Sequence, residues 1–200
     1  LIRAWLRAFT ADDPVRLVLR THVLEQSTRE SKRIILNTIN QISREENAKS
    51  IAPIIIDDQP LADDDMPSLY RSADCFCLPT RGEGWCLPAL DAMASGLPVI
   101  ITKTGGIAAY ANGRNAVTIP PGKPALYQPD PHRLLNFFDD QTFANPSPDA
   151  VAAALRRLYQ NPKLRTRTAH LARNTAAGQF DWNTVNTRIL ERIKKLTTSL

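Results

Sequence analysis

The chain has 200 residues, 43% hydrophobic and 22% charged, with a formal net charge of +5. That composition supports one good apolar core or two small ones, and its longest apolar runs are far too short to span a bilayer. The basic residues gather in Arg29–Arg44, Arg156–Arg173 and Arg188–Lys195, on helix-like stretches, and read as solvated helix faces before an anion-attracting surface. No basic strand interleaved with aromatics is present, so nucleic acid is not an expected partner.

In chain order, Ile2 to Phe9 has helical spacing. Val15 to Leu19 is a short β-branched and leucine run, expected to be a buried strand. Ser31 to Glu46 carries Ile34, Ile35, Ile39 and Ile42 on one helical face. Ile51 to Ile56 is a second strand, and the acidic, proline-containing Asp57 to Asp65 is a loop into a helix over Met66 to Ser72. Asp63 or Asp64 is placed to cap that helix. Asp74 to Pro79 is a third strand. The loop Thr80–Gly84 and a helix from about Trp85 to Ala94 follow, stopped by Gly96 and Pro98. Leu97 to Thr102 is the next strand, Gly105-Gly106 a turn into a short helix ending at Ala111, and Ala116 to Ile119 another strand.

Pro120 to Pro148 breaks the rhythm, with seven prolines and no period. It is expected to be an ordered insertion, anchored by Leu126, Tyr127, Leu134, Leu135, Phe137 and Phe138. Helices are expected over Pro148–Tyr159, Lys163–Ala177 and Trp182–Leu196, the last amphipathic through Val185, Ile189, Ile193 and Leu196. Helices alternating with short buried strands argue for an α/β fold: a Rossmann-like open parallel sheet with helices on both faces. Ligands of such sheets lie at the carboxyl ends of the strands, where Glu83 and Gly105-Gly106 would fall.

Three cysteines do not form a disulfide framework. Cys75 and Cys77 would share one face of a strand. With no Cys-x-x-Cys pair and no nearby histidine, no metal is expected, and the cysteines read as small buried apolar residues of a reducing compartment. His22, His132 and His170 stand alone. No signal peptide is visible. Leu1 is not an initiator methionine, and the chain opens inside a helix, so a piece of a longer cytoplasmic protein is expected, with a peripheral position at the inner membrane surface left open.

The most informative stretch is Glu83 to Gly96. Two carboxylates, Glu83 and Asp91, stand eight apart, with a strand before them and another after. A carboxylate at the mouth of a strand, a tight turn and a helix start together suit a phosphorylated ligand, because helix N-termini present free N–H groups and a partial positive charge. With the helix starting near Trp85, Asp91 lies about two turns in and meets a different part of the ligand than Glu83.

Here the chain resembles the C-terminal, donor-binding half of GT-B retaining glycosyltransferases of the GT4 (glycosyl transferases group 1) type. That family's hallmark reads Glu-Gly-Phe-Gly-Leu-Pro-x-Leu-Glu-Ala-Met-Ala-x-Gly-x-Pro-Val, and Glu83 to Val99 follows it nearly throughout. Leu69-Tyr70-Arg71-Ser72-Ala73-Asp74, Leu78-Pro79-Thr80, Thr104-Gly105-Gly106 and Phe180-Asp181-Trp182 match its flanking motifs. The resemblance implies that residues 1–200 are a nucleotide-sugar-binding domain lacking its first strand and its N-terminal acceptor domain, with 120–148 inserted. It implies transfer of a hexosyl group from a nucleotide-diphosphate sugar to an acceptor the sequence does not name. Glu83 would bind donor-sugar hydroxyls near the anomeric centre and act in catalysis. Asp91 would take the ribose hydroxyls, and Gly84 and the backbone of Trp85, Cys86 and Leu87 would hold the diphosphate. Gly105 and Gly106 would border the donor, the loop with Asp58, Gln59 and Leu61 would meet the base, and no cofactor or divalent metal would be needed.

Three departures stand out. Asp91 replaces a glutamate and is one methylene shorter. Cys86 replaces a glycine, tolerable with helical backbone and a side chain turned away. Ala109 stands where many members carry glutamate. Trp85 reads as packing before sugar stacking, and Arg81 and Lys103 as solvated charges before phosphate ligands. A non-catalytic Rossmann-like interaction module that has lost transferase chemistry is the alternative. A sugar-nucleotide epimerase of the same architecture lacks the Glu-Gly-aromatic helix start.

Overall fold

The computed structural model describes residues 1–21, 26–126 and 140–198. The expected alternation of helix and strand is realised. After α1 (Ile2–Ala8), β1 (Leu17–Arg20) pairs in parallel with β2 (Ile54–Asp57), Leu17 opposite Ile54. Helix α2 (Thr28–Glu45) connects them. Helix α3 (Met66–Arg71) leads to β3 (Phe76–Leu78), and α4 (Leu87–Ala94) leads to β4 (Val99–Thr102). β4 lies between β3 and β5 (Val117–Ile119), all parallel, with Phe76 opposite Val99 and Ile100 opposite Val117. Helices α5 (Pro148–Gln160), α6 (Pro162–Gln179) and α7 (Trp182–Thr197) complete the chain.

β4 explains the layers. All four of its residues are buried, the mark of a strand covered on both faces. Val99 and Ile101 point into one cluster with Tyr70, Met93, Ile107, Tyr110 and Ala172, and so toward α3, α4 and α6. Ile100 points into the other, with Trp5, Phe9, Val151, Leu155 and Leu158 from α1 and α5. Period-two alternation along one strand thus divides the core into two layers. The β1–β2 pair joins the second cluster through Leu17 and Ile54, alongside Cys75, Cys77 and Val117. Among the described residues the two parallel sheets do not hydrogen-bond to each other, so one edge of β1 and one edge of β3 carry no partner.

Several boundaries differ from expectation for identifiable reasons. α2 begins at Thr28, not Ser31, because Ser27 Oγ accepts the Glu30 amide; the Ser-x-x-Glu spacing is a capping signal visible in the sequence. Asp63 and Asp64 do not cap α3. With Asp65 they form a 3-10 turn that runs into it, and no side chain caps the helix. α4 starts at Leu87, two residues later than expected. It ends as expected: Gly96, at φ 83°, sends its amide to Met93 and lets Leu97 reach the Ala92 carbonyl. α7 has the expected amphipathic pattern, yet none of its residues is buried, and Ile189, Leu190, Ile193 and Leu196 are exposed. Among the described residues no helix is long and apolar enough to cross a membrane.

Of the 120–148 insertion, the stem is a two-stranded antiparallel ribbon, β6 (Ala125–Leu126) with β7 (Thr142–Phe143), closed by the Asn145 amide on the Pro121 carbonyl at 2.6 Å. Leu126 is exposed. The other expected anchors, Tyr127, Leu134, Leu135, Phe137 and Phe138, lie outside the described residues, as do His22 and His132. All three cysteines are unpaired, and Cys75 and Cys77 sit together against the α1–α5 cluster, as their spacing implied. Burial pushes the Cys77 thiol up to about 12.

Candidate functional site

β3 and β4 run parallel, so the loops after them emerge side by side, and backbone contact joins them. The Gly106 amide donates to the Gly84 carbonyl at 2.9 Å. A Cβ on Gly105 would lie 2.0 Å from the Glu83 carbonyl oxygen, and one on Gly106 would lie 2.1 Å from that of Gly84. Gly105 also has φ 56°, a left-handed conformation that glycine adopts without steric cost. The glycine pair is therefore required to seat one loop on the other. A Cβ on Gly84 would meet nothing within 4 Å.

Glu83 is half-buried, and Thr80 Oγ1 lies 3.3 Å from its Oε1. The Thr80 hydroxyl also lies 3.0 Å from the Gly82 carbonyl and accepts the Gly82 amide at 3.3 Å, tying the loop together ahead of Glu83. The insertion buttresses the same loop. The Ala144 amide donates to the Arg81 carbonyl at 2.9 Å, and Arg81 Nε donates back to the Ala144 carbonyl at 3.2 Å. Arg81 is thus occupied in holding the stem, and Lys103 is exposed.

Cys86 departs from the sequence-based expectation. Its backbone is left-handed, φ 62° and ψ 63°, rather than helical, and its side chain is buried in the core. That conformation is why glycine is the easier residue there; a non-glycine residue pays roughly 1–2 kcal/mol for it. A left-handed residue followed by the first helical residue turns successive N–H groups toward one concavity, a form of anion-binding nest. Among the described residues the amides of Trp85, Cys86 and Leu87 donate to nothing in the protein. Behind them the Tyr110 hydroxyl shares its one proton between the carbonyls of Trp85, at 3.0 Å, and Cys86, at 3.2 Å. Trp85 packs against Tyr110 and Phe180, with centroids 5.4 and 5.6 Å away, and remains 38% exposed.

Because α4 starts at Leu87, Asp91 is its fifth residue, little more than one turn in rather than two. Its carboxylate has no hydrogen bond and no ion pair among the described residues. Partial burial nonetheless pushes its carboxyl above the ordinary value. Its charge reaches the Tyr70 hydroxyl, whose own proton is held mainly by burial and then by Asp91 and Cys86. Glu83's charge reaches Cys86 and Tyr110. The two carboxylates thus flank the start of one short helix.

The loop after β2 is internally fastened. Arg20, at the end of β1, pairs with Asp57 at 2.9 Å and donates to the Gln59 carbonyl at 3.1 Å. Lys32 Nζ lies 3.6 Å from Asp58 Oδ2, and Gln59 Nε2 donates to Asp58 Oδ1 at 3.2 Å. The side chains of Asp58 and Gln59 are engaged with the protein, while Leu61 is exposed. Tyr110 is the residue at this turn that the sequence did not single out, since it sits in an alanine-rich context; Tyr70 and Thr80 stood out only as members of flanking motifs. Ala109 is exposed at the end of the 3-10 turn Gly105–Ala109. Among the described residues no three His, Cys, Asp or Glu side chains converge.

This loop arrangement has a matching sequence profile: residues 39–136 match Glycosyl transferases group 1. The chain belongs to that family. It is 30% identical over 137 residues to an MMP alpha-(1->4)-mannosyltransferase of Mycolicibacterium hassiacum, a match covering 68% of this chain and 28% of that relative. The chain therefore spans about a quarter to a third of the curated relatives it matches. Among solved structures it resembles Anabaena HepE in complex with UDP and glucose, TM-score 0.65 at 16% identity, covering 97% of this chain and 43% of that one. It also resembles the C-terminal domain of the group 1 protein LpcC of Francisella tularensis, TM-score 0.61 at 20% identity, covering 90% and 77%. These likenesses show that the chain has the fold of one half of a GT-B-type protein.

Proposed function

We propose that this domain is the donor-binding half of a retaining glycosyltransferase that moves a hexosyl group from a nucleotide-diphosphate sugar to an acceptor bound by another domain. The observation that carries the reading is the row of unpartnered amides at Trp85, Cys86 and Leu87, with Glu83 on one side and the unpartnered Asp91 on the other. Phosphate oxygens suit such amides. Asp91 accepts the two ribose hydroxyls, which repays the desolvation of its carboxylate. Glu83 accepts donor-sugar hydroxyls near the anomeric carbon. The base lies on the backbone of the 57–61 loop, whose side chains are tied back. The leaving diphosphate takes the acceptor proton on the face from which the new bond forms, which retains configuration, and the reading assigns no role to divalent metal. The relative acting as a mannosyltransferase and the neighbour solved with UDP and glucose support a sugar-nucleotide donor. Unpaired thiols fit a cytoplasmic setting.

Calorimetry of the full-length gene product with UDP-, GDP- and ADP-hexoses tests this. One of them binds, and Glu83→Ala or Asp91→Ala each weakens it by about ten- to a hundredfold, the worth of hydrogen bonds to a charged group. NMR of the product shows the donor's anomeric configuration. Binding of no nucleotide sugar, or binding indifferent to both substitutions, rejects the proposal in favour of a non-catalytic interaction module.

A further inference from the structure

Three consecutive carbonyls at the start of α4 are held from one side by one short segment. Gly106 N–H donates to the Gly84 carbonyl at 2.9 Å, and the Tyr110 hydroxyl lies 3.0 Å from the Trp85 carbonyl and 3.2 Å from that of Cys86. A trans peptide unit is planar, with its N–H directed opposite to its C=O. The N–H partners of those three carbonyls belong to Trp85, Cys86 and Leu87, the three amides without partners among the described residues. We propose that Tyr110 is a positioning residue for diphosphate recognition: by gripping two carbonyls from behind, its hydroxyl aims the Cys86 and Leu87 N–H groups at the ligand. The inference rests on the donor-site reading and deepens it.

Tyr110 is built for this. It is 3% exposed, and its ring packs in a mutual trio with Trp85 and Phe180, with centroids at 5.4 and 6.0 Å. Its backbone is fixed as well: the amide bonds the Ile107 carbonyl at 3.2 Å, and the carbonyl accepts Asn115 Nδ2 at 2.8 Å. Burial holds the phenol proton well above its ordinary range, so the hydroxyl stays a donor at every working pH. The Cys86 carbonyl has further partners in the amides of Ala89 and Leu90, but the Trp85 carbonyl has only Tyr110 among the described residues. The peptide linking Trp85 to Cys86 thus depends on this hydroxyl alone, and it is the peptide that enters the left-handed residue. A donor on a carbonyl also polarises the N–H at the other end of the unit, strengthening its bond to an anion.

The test is Tyr110→Phe in the full-length gene product, which removes one oxygen and keeps the ring. UDP, GDP and ADP are titrated by calorimetry, and the tightest is compared with its nucleoside, measured by saturation-transfer NMR. The expected result is a loss of about five- to tenfold in diphosphate affinity, one hydrogen bond's worth, with nucleoside binding unchanged. A purely structural role lowers both together. If the phenylalanine variant does not fold, 3-fluorotyrosine at the same position, a stronger donor, raises diphosphate affinity relative to nucleoside. An unchanged ratio of the two affinities in the folded variant overturns the proposal. The donor-site reading fails separately, if the wild-type protein binds no diphosphate or if Glu83→Ala leaves binding of the nucleotide sugar intact.

Discussion

Placing one methyl group on Gly105 sets the fold against the site in a measurable way. Its Cβ would stand 2.0 Å from the Glu83 carbonyl oxygen, where real Cβ contacts stay above 3.0 Å, so the Glu83 loop must retreat by about 1 Å. That retreat breaks the Gly106–Gly84 hydrogen bond, worth about 1 kcal/mol, and alanine at φ 56° adds about 1–2 kcal/mol. The sum is about 2–3 kcal/mol, or a fall in Tm of about 5–10 °C for a chain of this size. Calorimetric melting reads the stability, and titration with a nucleotide sugar reads the displacement of Glu83, with affinity expected to fall at least about tenfold. Gly113→Ala, where the added atom meets nothing within 4 Å, is the control. If Gly105→Ala melts with the control and binds donor like wild type, the close apposition of the two loops is wrong.

Gly84→Ala should separate stability from binding: no protein atom lies within 4 Å of its Cβ, so Tm holds while diphosphate affinity, read by titration, falls if the ligand backs onto that backbone. Asp91→Asn should raise Tm slightly at neutral pH and weaken donor binding by about tenfold, since the amide keeps one acceptor oxygen and loses the charge. Burial raises the Asp91 pKa in the folded state, so its contribution is most favourable below the unfolded pKa and is lost as pH rises through the folded one; melting curves from acid to neutral pH then converge with wild type at the acid end. Cys86→Gly should be more stable than Cys86→Ala by roughly 1 kcal/mol in urea melts, since both lose the thiol and only glycine relieves the left-handed strain. Glu46, bridging Arg7 and Arg3, has its pKa lowered from 4.5 to about 2; the stability it adds is present above 4.5 and lost as pH falls toward 2, so Glu46→Gln should flatten acid unfolding over that window.

β4 was legible because burial on two faces leaves a continuous β-branched run, Val99–Thr102, and the helix ends because Pro148, Gly96 and Pro98 act on the backbone locally; β1, expected to be buried, instead alternates and leaves Val18 exposed. Glu83, Gly84 and Asp91 stood out through their spacing and the family motif they match, and their roles belong to the proposal. What local pattern could not supply was anything set by a distant partner. The left-handed Cys86 depends on a helix start fixed from across the core by Tyr110, 24 residues away in sequence. The glycines of the Gly105-Gly106 pair read as turn formers, whereas their necessity comes from the loop that lies on them. The acidic run Asp63–Asp65 looked like a cap and instead coils into a 3-10 turn, since a cap needs an extended residue before the helix and Asp65 has φ −88° and ψ −18°.

The parted sheets carry a consequence for handling this polypeptide. Among the described residues one edge of β1 and one edge of β3 lack a strand partner, which a further extended backbone could supply, and both strands border the same apolar cluster. Self-association by strand capture should therefore grow with concentration, and a short valine-rich peptide that docks in parallel should suppress it.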